Sequence, residues 1–283
     1  MKNCFLLLFI SCLFFSCGQS SKSDGKTLTV TIAPQRYFLE KLAGSAYKIN
    51  TLVPPATSPE TYEPSPATMI ALGKSAVYFK VGFLGFENVW SQKLKENNPH
   101  VSIADCSSGI DLMYDEDEHS HGADPHIWSS PKNALILSKN MLDALVKLDP
   151  KQEDTFRANH EKLAVEIEAT DSVIRQKLAN LPSRGFIIYH PALSYFARDY
   201  GLDQYSIEFE GKNPSPLQIK EIVDLAKAKR IQTVFVQTGF DTKNAEVIAQ
   251  EAGAKIYSIN PLSEEWNKEL IRIADILAGG QHE

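Results

Sequence analysis

An α/β architecture of two lobes with parallel sheets, joined by one long rigid backbone helix, is the fold class this chain predicts. Three observations predict it. Short β-rich runs alternate with helical patterns from Thr27 onward, as parallel strands joined by crossover helices require. The alternation starts afresh in the second half, with four strands in each. Between the halves, Pro150–Asn180 contains no internal Gly or Pro. The chain has 283 residues, enough for one large or two modest domains at roughly 100–200 residues each. Hydrophobic residues make up 43%, charged residues 23% and aromatics 10%, values that exclude disordered, collagen-like and coiled-coil classes. A net charge of −6 argues against nucleic acid as a partner, since phosphate binding requires a basic excess.

The N-terminus comes first. Lys2 precedes the apolar run Cys4–Phe15, followed by Ser16-Cys17-Gly18 and a small, polar stretch. A run this short reads as a signal peptide, because a membrane-spanning helix needs about 20 apolar residues. Leu13-Phe14-Phe15-Ser16-Cys17 resembles a bacterial lipobox, which makes Cys17 the lipidated first residue of the mature protein. Residues 1–17 are then a lipoprotein leader and 18–26 a flexible tether. Three of the four cysteines lie in that leader, so only Cys106 remains in the folded part and no internal disulfide can form.

In the first lobe (27–149) the expected strands are Leu28–Ala33, Ile49–Val53, Ala76–Val81 and Val101–Ala104, and the helices Gln35–Ala43, Pro66–Leu72 and Phe86–Glu96. The linking segment (150–181) carries Phe156, Leu163, Ile167, Ile174 and Leu178 at spacings of 4 and 7, an amphipathic helical stripe. Asp149-Pro150 starts it and Leu181-Pro182 stops it. At 1.5 Å per residue it would run roughly 45 Å. In the second lobe (182–283) the strands are Gly185–Tyr189, Gln204–Phe209, Thr233–Val236 and Lys255–Ile259. The helices there are Ala192–Tyr200, Ser215–Lys229, Lys243–Glu251 and Glu265–Leu277.

Ligands of parallel sheets sit beyond the carboxyl ends of the strands, so the segments following strands hold the candidate chemistry. Glu60 lies in a loop stiffened by five prolines within Pro54–Pro66. A lone surface carboxylate is its alternative reading. Asp115-Glu116-Asp117-Glu118-His119-Ser120-His121 is a tract suited to a divalent cation, with His119 and His121 as a possible metal-collecting loop. His126, between Pro125 and Ile127-Trp128, is either a ligand or a packed core residue. His190 ends the apolar run Phe186–Tyr189, where a binding role is favoured over packing. Asn260 closes another strand and is equally a turn residue; Gln237 is similar, and Glu264 lies nearby. No His-x-x-x-His helix with a neighbouring Glu, nucleophile elbow or phosphate-cradling Gly loop occurs, so no catalytic residue is assigned.

The ordered segments LVPPATSPETYEPSP, DPHIWSSPKNA, IIYHPALSYFARDYGL, NPSPLQIKEI, VFVQTGF and EAGAKIYSINPL resemble the substrate-binding proteins of zinc/manganese ABC importers, from about Leu28 to Leu277. The resemblance implies two (β/α)4 lobes bridged by a rigid helix, with a metal held between them for a membrane permease and its ATPase. It implies a metal set of Glu60, His126, His190 and Asn260. Glu60 stands where the family usually has a His, and Asn260 where it has an Asp. Zinc is the first expected cargo, because His190 matches the zinc-type third ligand and the acidic His loop resembles that of zinc members. Mn²⁺ or Fe²⁺ is the alternative, since carboxylate oxygen favours those ions. Both imidazoles must be neutral to ligate, so affinity is expected to fall below about pH 6. The expected protein is a non-enzymatic monomer, anchored by lipid in the periplasm or at the cell surface. An adhesin-like surface lipoprotein with weakened metal binding and a periplasmic metallohydrolase are the competing readings.

Overall fold

The computed structural model describes residues 26–55, 57–114, 122–181, 183–208 and 212–280. Cys17, His119 and His121 lie outside the described residues.

The first sheet contains β1 (Thr27–Val30), β2 (Lys48–Thr51), β3 (Val77–Lys80) and β4 (Ser102–Asp105), all parallel in the order β2-β1-β3-β4. Helices α1 (Ala33–Ala43), α2 (Pro66–Leu72) and α3 (Gly85–Asn97) connect them. Strand β1 stops earlier than its apolar pattern suggests. The Gln35 side-chain oxygen accepts from the backbone N–H groups of Thr31 and Ile32, and α1 starts directly behind them.

The second sheet repeats the plan. Strands β5 (Gly185–Ile188), β6 (Asp203–Ser206), β7 (Thr233–Gln237) and β8 (Lys255–Ile259) are parallel in the order β6-β5-β7-β8. Its helices are α6 (Ser194–Tyr200), α7 (Pro216–Lys229) and α8 (Lys243–Ala252), and α9 (Trp266–Leu277) closes the described chain. Parallel strands covered on both faces read as continuous apolar runs. Accordingly Phe186, Ile187, Ile188, Val234 and Phe235 are fully buried.

Two helices join the sheets. The expected long helix is present as α5 (Glu153–Lys177), 25 residues after a single 3-10 turn at Pro150–Gln152. Its length is about 37 Å. Glu153 and Asp154 in its first turn and Arg175 and Lys177 in its last suit the helix dipole. The whole predicted stripe from Phe156 to Leu178 is buried. Antiparallel to it runs α4 (Pro131–Leu148), which the sequence reading left unassigned. Ser130 caps α4 by accepting from the Asn133 N–H, Pro131 opens it, and Leu137, Met141, Leu142 and Leu145 are its buried face.

One apolar core runs through α1, α4, α5 and α9 into both sheets, and a smaller one lies around Ile187, Val234 and Ile248. Helix α9 packs on α5 and reaches the first lobe, where Trp266 meets Phe38 at 4.9 Å between ring centroids. The Trp266 indole donates to the Trp128 carbonyl at 2.7 Å, and the Trp128 indole donates to the Pro261 carbonyl at 2.9 Å. From the other side, Tyr195 of α6 donates to the Asp124 carbonyl at 2.8 Å, and Arg198 to the Asp111 carbonyl at 2.8 Å. The loops of the two sheets are thus tied together at the mouth between them. Among the described residues no helix is long and apolar enough to cross a membrane.

Candidate metal centre

Three loops converge at that mouth. The segment after β2 turns back through Pro54, Pro55, Pro59 and Pro64. It is pinned by Tyr62, whose ring meets Phe86 edge-on at 5.5 Å, and ends at Ser65, which caps α2 by accepting from the Thr68 N–H. These restraints hold Glu60 in place with its side chain 34% exposed.

His126 sits on the loop between β4 and α4 and is 4% exposed. Asp124 holds it twice. One carboxylate oxygen accepts from the His126 backbone N–H at 2.8 Å and lies 2.9 Å from Nδ1. The Trp128 ring closes on the imidazole at 5.2 Å. The DPHIW segment is therefore a local brace for one buried imidazole.

His190 follows β5, at the point where the second sheet's strand order reverses between β5 and β7. Such switch points open a crevice. Gln237, ending β7, accepts from the His190 N–H at 3.3 Å and donates to its carbonyl, which occupies both ends of the Gln237 amide. Phe240 stacks on the ring at 5.8 Å and 16°. The Glu208 carboxylate faces Nδ1.

The outer nitrogens thus meet carboxylates, and the inner ones meet each other. His126 Nε2 lies 3.2 Å from His190 Nε2, and Glu60 Oε1 lies 3.5 Å from the first and 3.3 Å from the second. Zinc bonds of 2.0–2.2 Å at tetrahedral angles put ligand atoms about 3.3–3.5 Å apart. The three donor atoms form a triangle with edges of 3.2, 3.3 and 3.5 Å, close to that size. Among the described residues, these three are the acid, His and Cys side chains that could jointly hold a metal ion.

The electrostatics favour a cation. Burial raises the Glu60 carboxyl, but the His190 hydrogen bond and the nearness of both imidazoles outweigh it and hold the group below the usual carboxylate range. Asp124 is likewise lowered: burial opposes ionisation and His126 more than offsets it. Burial lowers His190, yet hydrogen bonds to Glu208 and Glu60 prevail and push it up to about 9.

Asn260 makes a turn beside the two imidazoles. It lines the same cavity, of about 250 Å³, with His126, Trp128, His190 and Phe240. Its Oδ1 accepts from the Leu262 N–H at 3.2 Å, and its own N–H donates to Glu269 at 2.7 Å, a side-chain turn closing on itself. Glu264 lines a separate cleft beside β2, with Arg36 and Lys48. Sequence reasoning missed Asp124 and Glu208 as partners of the imidazoles. Asp124 was accessible from its two-residue spacing to His126, whereas Glu208 meets His190 only through strand register.

Comparisons with known proteins place the chain in a family. Residues 28–273 match the family described as zinc-uptake complex component A, periplasmic (ZnuA). The zinc-binding lipoprotein AdcA of Streptococcus pneumoniae (strain TIGR4) is 28% identical over 280 residues, 93% of this chain; the chain spans only 56% of that relative's length. The manganese-binding lipoprotein MntA of Halalkalibacterium halodurans is 28% identical over 261 residues, covering 89% of this chain and 86% of that protein. A solved structure titled as the crystal structure of ZnuA superposes with a TM-score of 0.86 at 39% identity, covering 91% of this chain and 99% of that one.

Proposed function

We propose, from the premise that the chain belongs to the ZnuA family of zinc-uptake components, that it captures a divalent metal ion between its two lobes and delivers it to an ABC permease and its ATPase. Zinc is the first cargo. The observation that carries this reading is the triangle of Glu60, His126 and His190, whose edges match a face of a zinc tetrahedron. The fourth ligand is then a solvent oxygen from the adjoining cavity or the second lone pair of the Asn260 oxygen, whose first accepts from the Leu262 N–H. Mn²⁺ and Fe²⁺ are the second reading, supported by the carboxylate donor and by similarity to a protein named manganese-binding.

Residues 1–17 serve as the leader, Cys17 carries the lipid, and 18–26 tether the folded part to the membrane in the periplasm or at the cell surface. The name of AdcA as a lipoprotein supports that anchor. The lobes are 27–149 and 182–283, with 150–181 between them. The loop bearing His119 and His121 collects metal at low affinity; unchanged uptake under metal limitation after deletion of 115–123 would remove that role. No catalysis is assigned to the site.

The test is calorimetric titration of the metal-stripped chain from Gly18 with Zn²⁺, Mn²⁺ and Fe²⁺. One tight site with a preferred ion names the cargo. The absence of any site tighter than millimolar, worth only about 4 kcal/mol, would favour the adhesin-like reading instead.

A further inference from the structure

The two imidazoles at the metal site are each backed by a carboxylate, but the two carboxylates arrive differently. Asp124 is two residues from His126 in the chain. Glu208 is 18 residues from His190 and comes from the neighbouring strand. The register explains the meeting. Parallel pairing of Ile188 with Ser206 continues past the strand ends as Ile207 N–H to the Ile188 carbonyl at 2.8 Å and Glu208 N–H to the Tyr189 carbonyl at 2.9 Å. That ladder carries Glu208 level with His190.

We propose that Glu208 is a positioning residue for metal capture: it holds the His190 ring with its N–H at Nδ1, so that the Nε2 lone pair points at the ion. The inference rests on the metal-binding reading. Both Glu208 oxygens lie 3.4 Å from Nδ1, and both side chains are only 12% exposed, so water competes weakly for the contact. An ionised carboxylate can only accept, and a neutral imidazole has one N–H to give. A proton kept at Nδ1 leaves Nε2 as the acceptor, and Nε2 is the atom that faces Glu60 Oε1 and His126 Nε2. Stacking by Phe240 and the two Gln237 hydrogen bonds to the His190 backbone restrain the ring from its other sides. Turning the ring over would present carbon atoms to both carboxylates. Outer partners of this kind typically change metal affinity 10–100-fold.

The test uses the whole detergent-solubilised chain, labelled with ¹⁵N-histidine, as wild type, Glu208→Ala and Glu208→Asp. Zinc affinity is measured by chelator competition, and ¹⁵N shifts report which ring nitrogen carries the proton. In the metal-free wild type above pH 9, His190 is expected as the Nδ1–H tautomer. Glu208→Ala should weaken zinc binding 10–100-fold and mix the two His190 tautomers, while His126 keeps its Nδ1 proton on Asp124. Glu208→Asp should recover part of both. Zinc affinity within threefold of wild type in Glu208→Ala, or an Nε2–H tautomer in the wild type, would overturn the inference. Should Glu208→Ala fail to fold, the wild-type tautomer and the Asp variant still decide. An Nδ1–H wild type that binds no zinc would sustain the ring assignment and sink the cargo reading instead.

Discussion

His126 Nε2 and His190 Nε2 lie 3.2 Å apart, although 64 residues separate them and they belong to the loops of different sheets. Two imidazole nitrogens this close, with a carboxylate oxygen within 3.5 Å of each, form a group that could hold one metal ion. Removing either ring takes away a donor outright, so His126→Ala and His190→Ala should each weaken zinc binding by more than the roughly 10–100-fold that follows loss of an outer partner. Glu60→Gln should also weaken it, by replacing an anionic donor with an amide. Titration calorimetry on metal-stripped protein checks all three. Wild-type affinity in His190→Ala would show that the second lobe takes no part in binding.

The His190 imidazole, pushed up to about 9 by its two carboxylate neighbours against the opposing effect of burial, should carry a proton in the metal-free protein at neutral pH. An incoming ion must displace that proton. Zinc affinity should therefore rise about tenfold per pH unit between pH 7 and 9, then level off. Calorimetry in buffers of differing ionisation enthalpy should register release of about one proton at pH 7.5. An affinity flat from pH 7 to 9 would contradict the environment assigned to His190.

The same group links pH to the stability of the metal-free fold. Its folded value of about 9 lies above the unfolded value of 6.5, so folding favours the protonated ring. That contribution is complete below about pH 6.5 and is lost as pH rises through 9. At 1.36 kcal/mol per unit, a rise of about 2.5 units is worth on the order of 3 kcal/mol. Denaturant unfolding at pH 6.5 and 9.5 should show a loss of that order in the wild type and a smaller one in His190→Gln.

Much of the fold is visible in the chain because buried parallel strands leave apolar runs such as Phe186–Ile188, and the long helix leaves a periodic stripe. Helix α4 left a comparable signal in Ser130-Pro131 and the spacing of Leu137, Met141 and Leu145, which went unread. At the site, Glu60, His126 and His190 are visible as loop residues beyond strand ends. The partner of His190 is not, since the pairing of β5 with β6 places Glu208 and no local pattern encodes strand register. Asn260 shows the opposite limit. Ligand and turn are both open from its sequence, and in the structure its oxygen accepts from the Leu262 N–H.

Trp266 joins the last helix to the first lobe through a buried indole that donates to the Trp128 carbonyl and packs on Phe38. Trp266→Ala should cost about 3–5 kcal/mol for the cavity. Trp266→Phe, which keeps much of the volume but orphans the carbonyl, should cost about 1–3 kcal/mol. Because Trp128 follows His126 by two residues, both variants should also loosen the metal site. Chemical denaturation paired with zinc titration separates the two effects, and an undiminished stability in Trp266→Ala would refute the clamp.

Asn260 offers the sharpest discrimination between ways of completing the coordination. If a solvent oxygen rather than the Asn260 amide completes the coordination, Asn260 contributes little to an ion at Glu60, His126 and His190. Asn260→Ala should therefore leave zinc affinity within about threefold, since a solvent-filled fourth position costs the ion no protein donor. Asn260→Asp should act in the other direction. One carboxylate oxygen can keep the bond to Leu262 while the second faces the cavity shared with both imidazoles. At 4 Å and an effective dielectric near 20, one added unit charge contributes about 4 kcal/mol per unit of facing charge before desolvation, so a gain of at least about tenfold in zinc affinity is expected. A large loss in Asn260→Ala would mean that the turn opens on loading and the amide ligates. No gain in Asn260→Asp would mean that the turn holds both oxygens away from the ion.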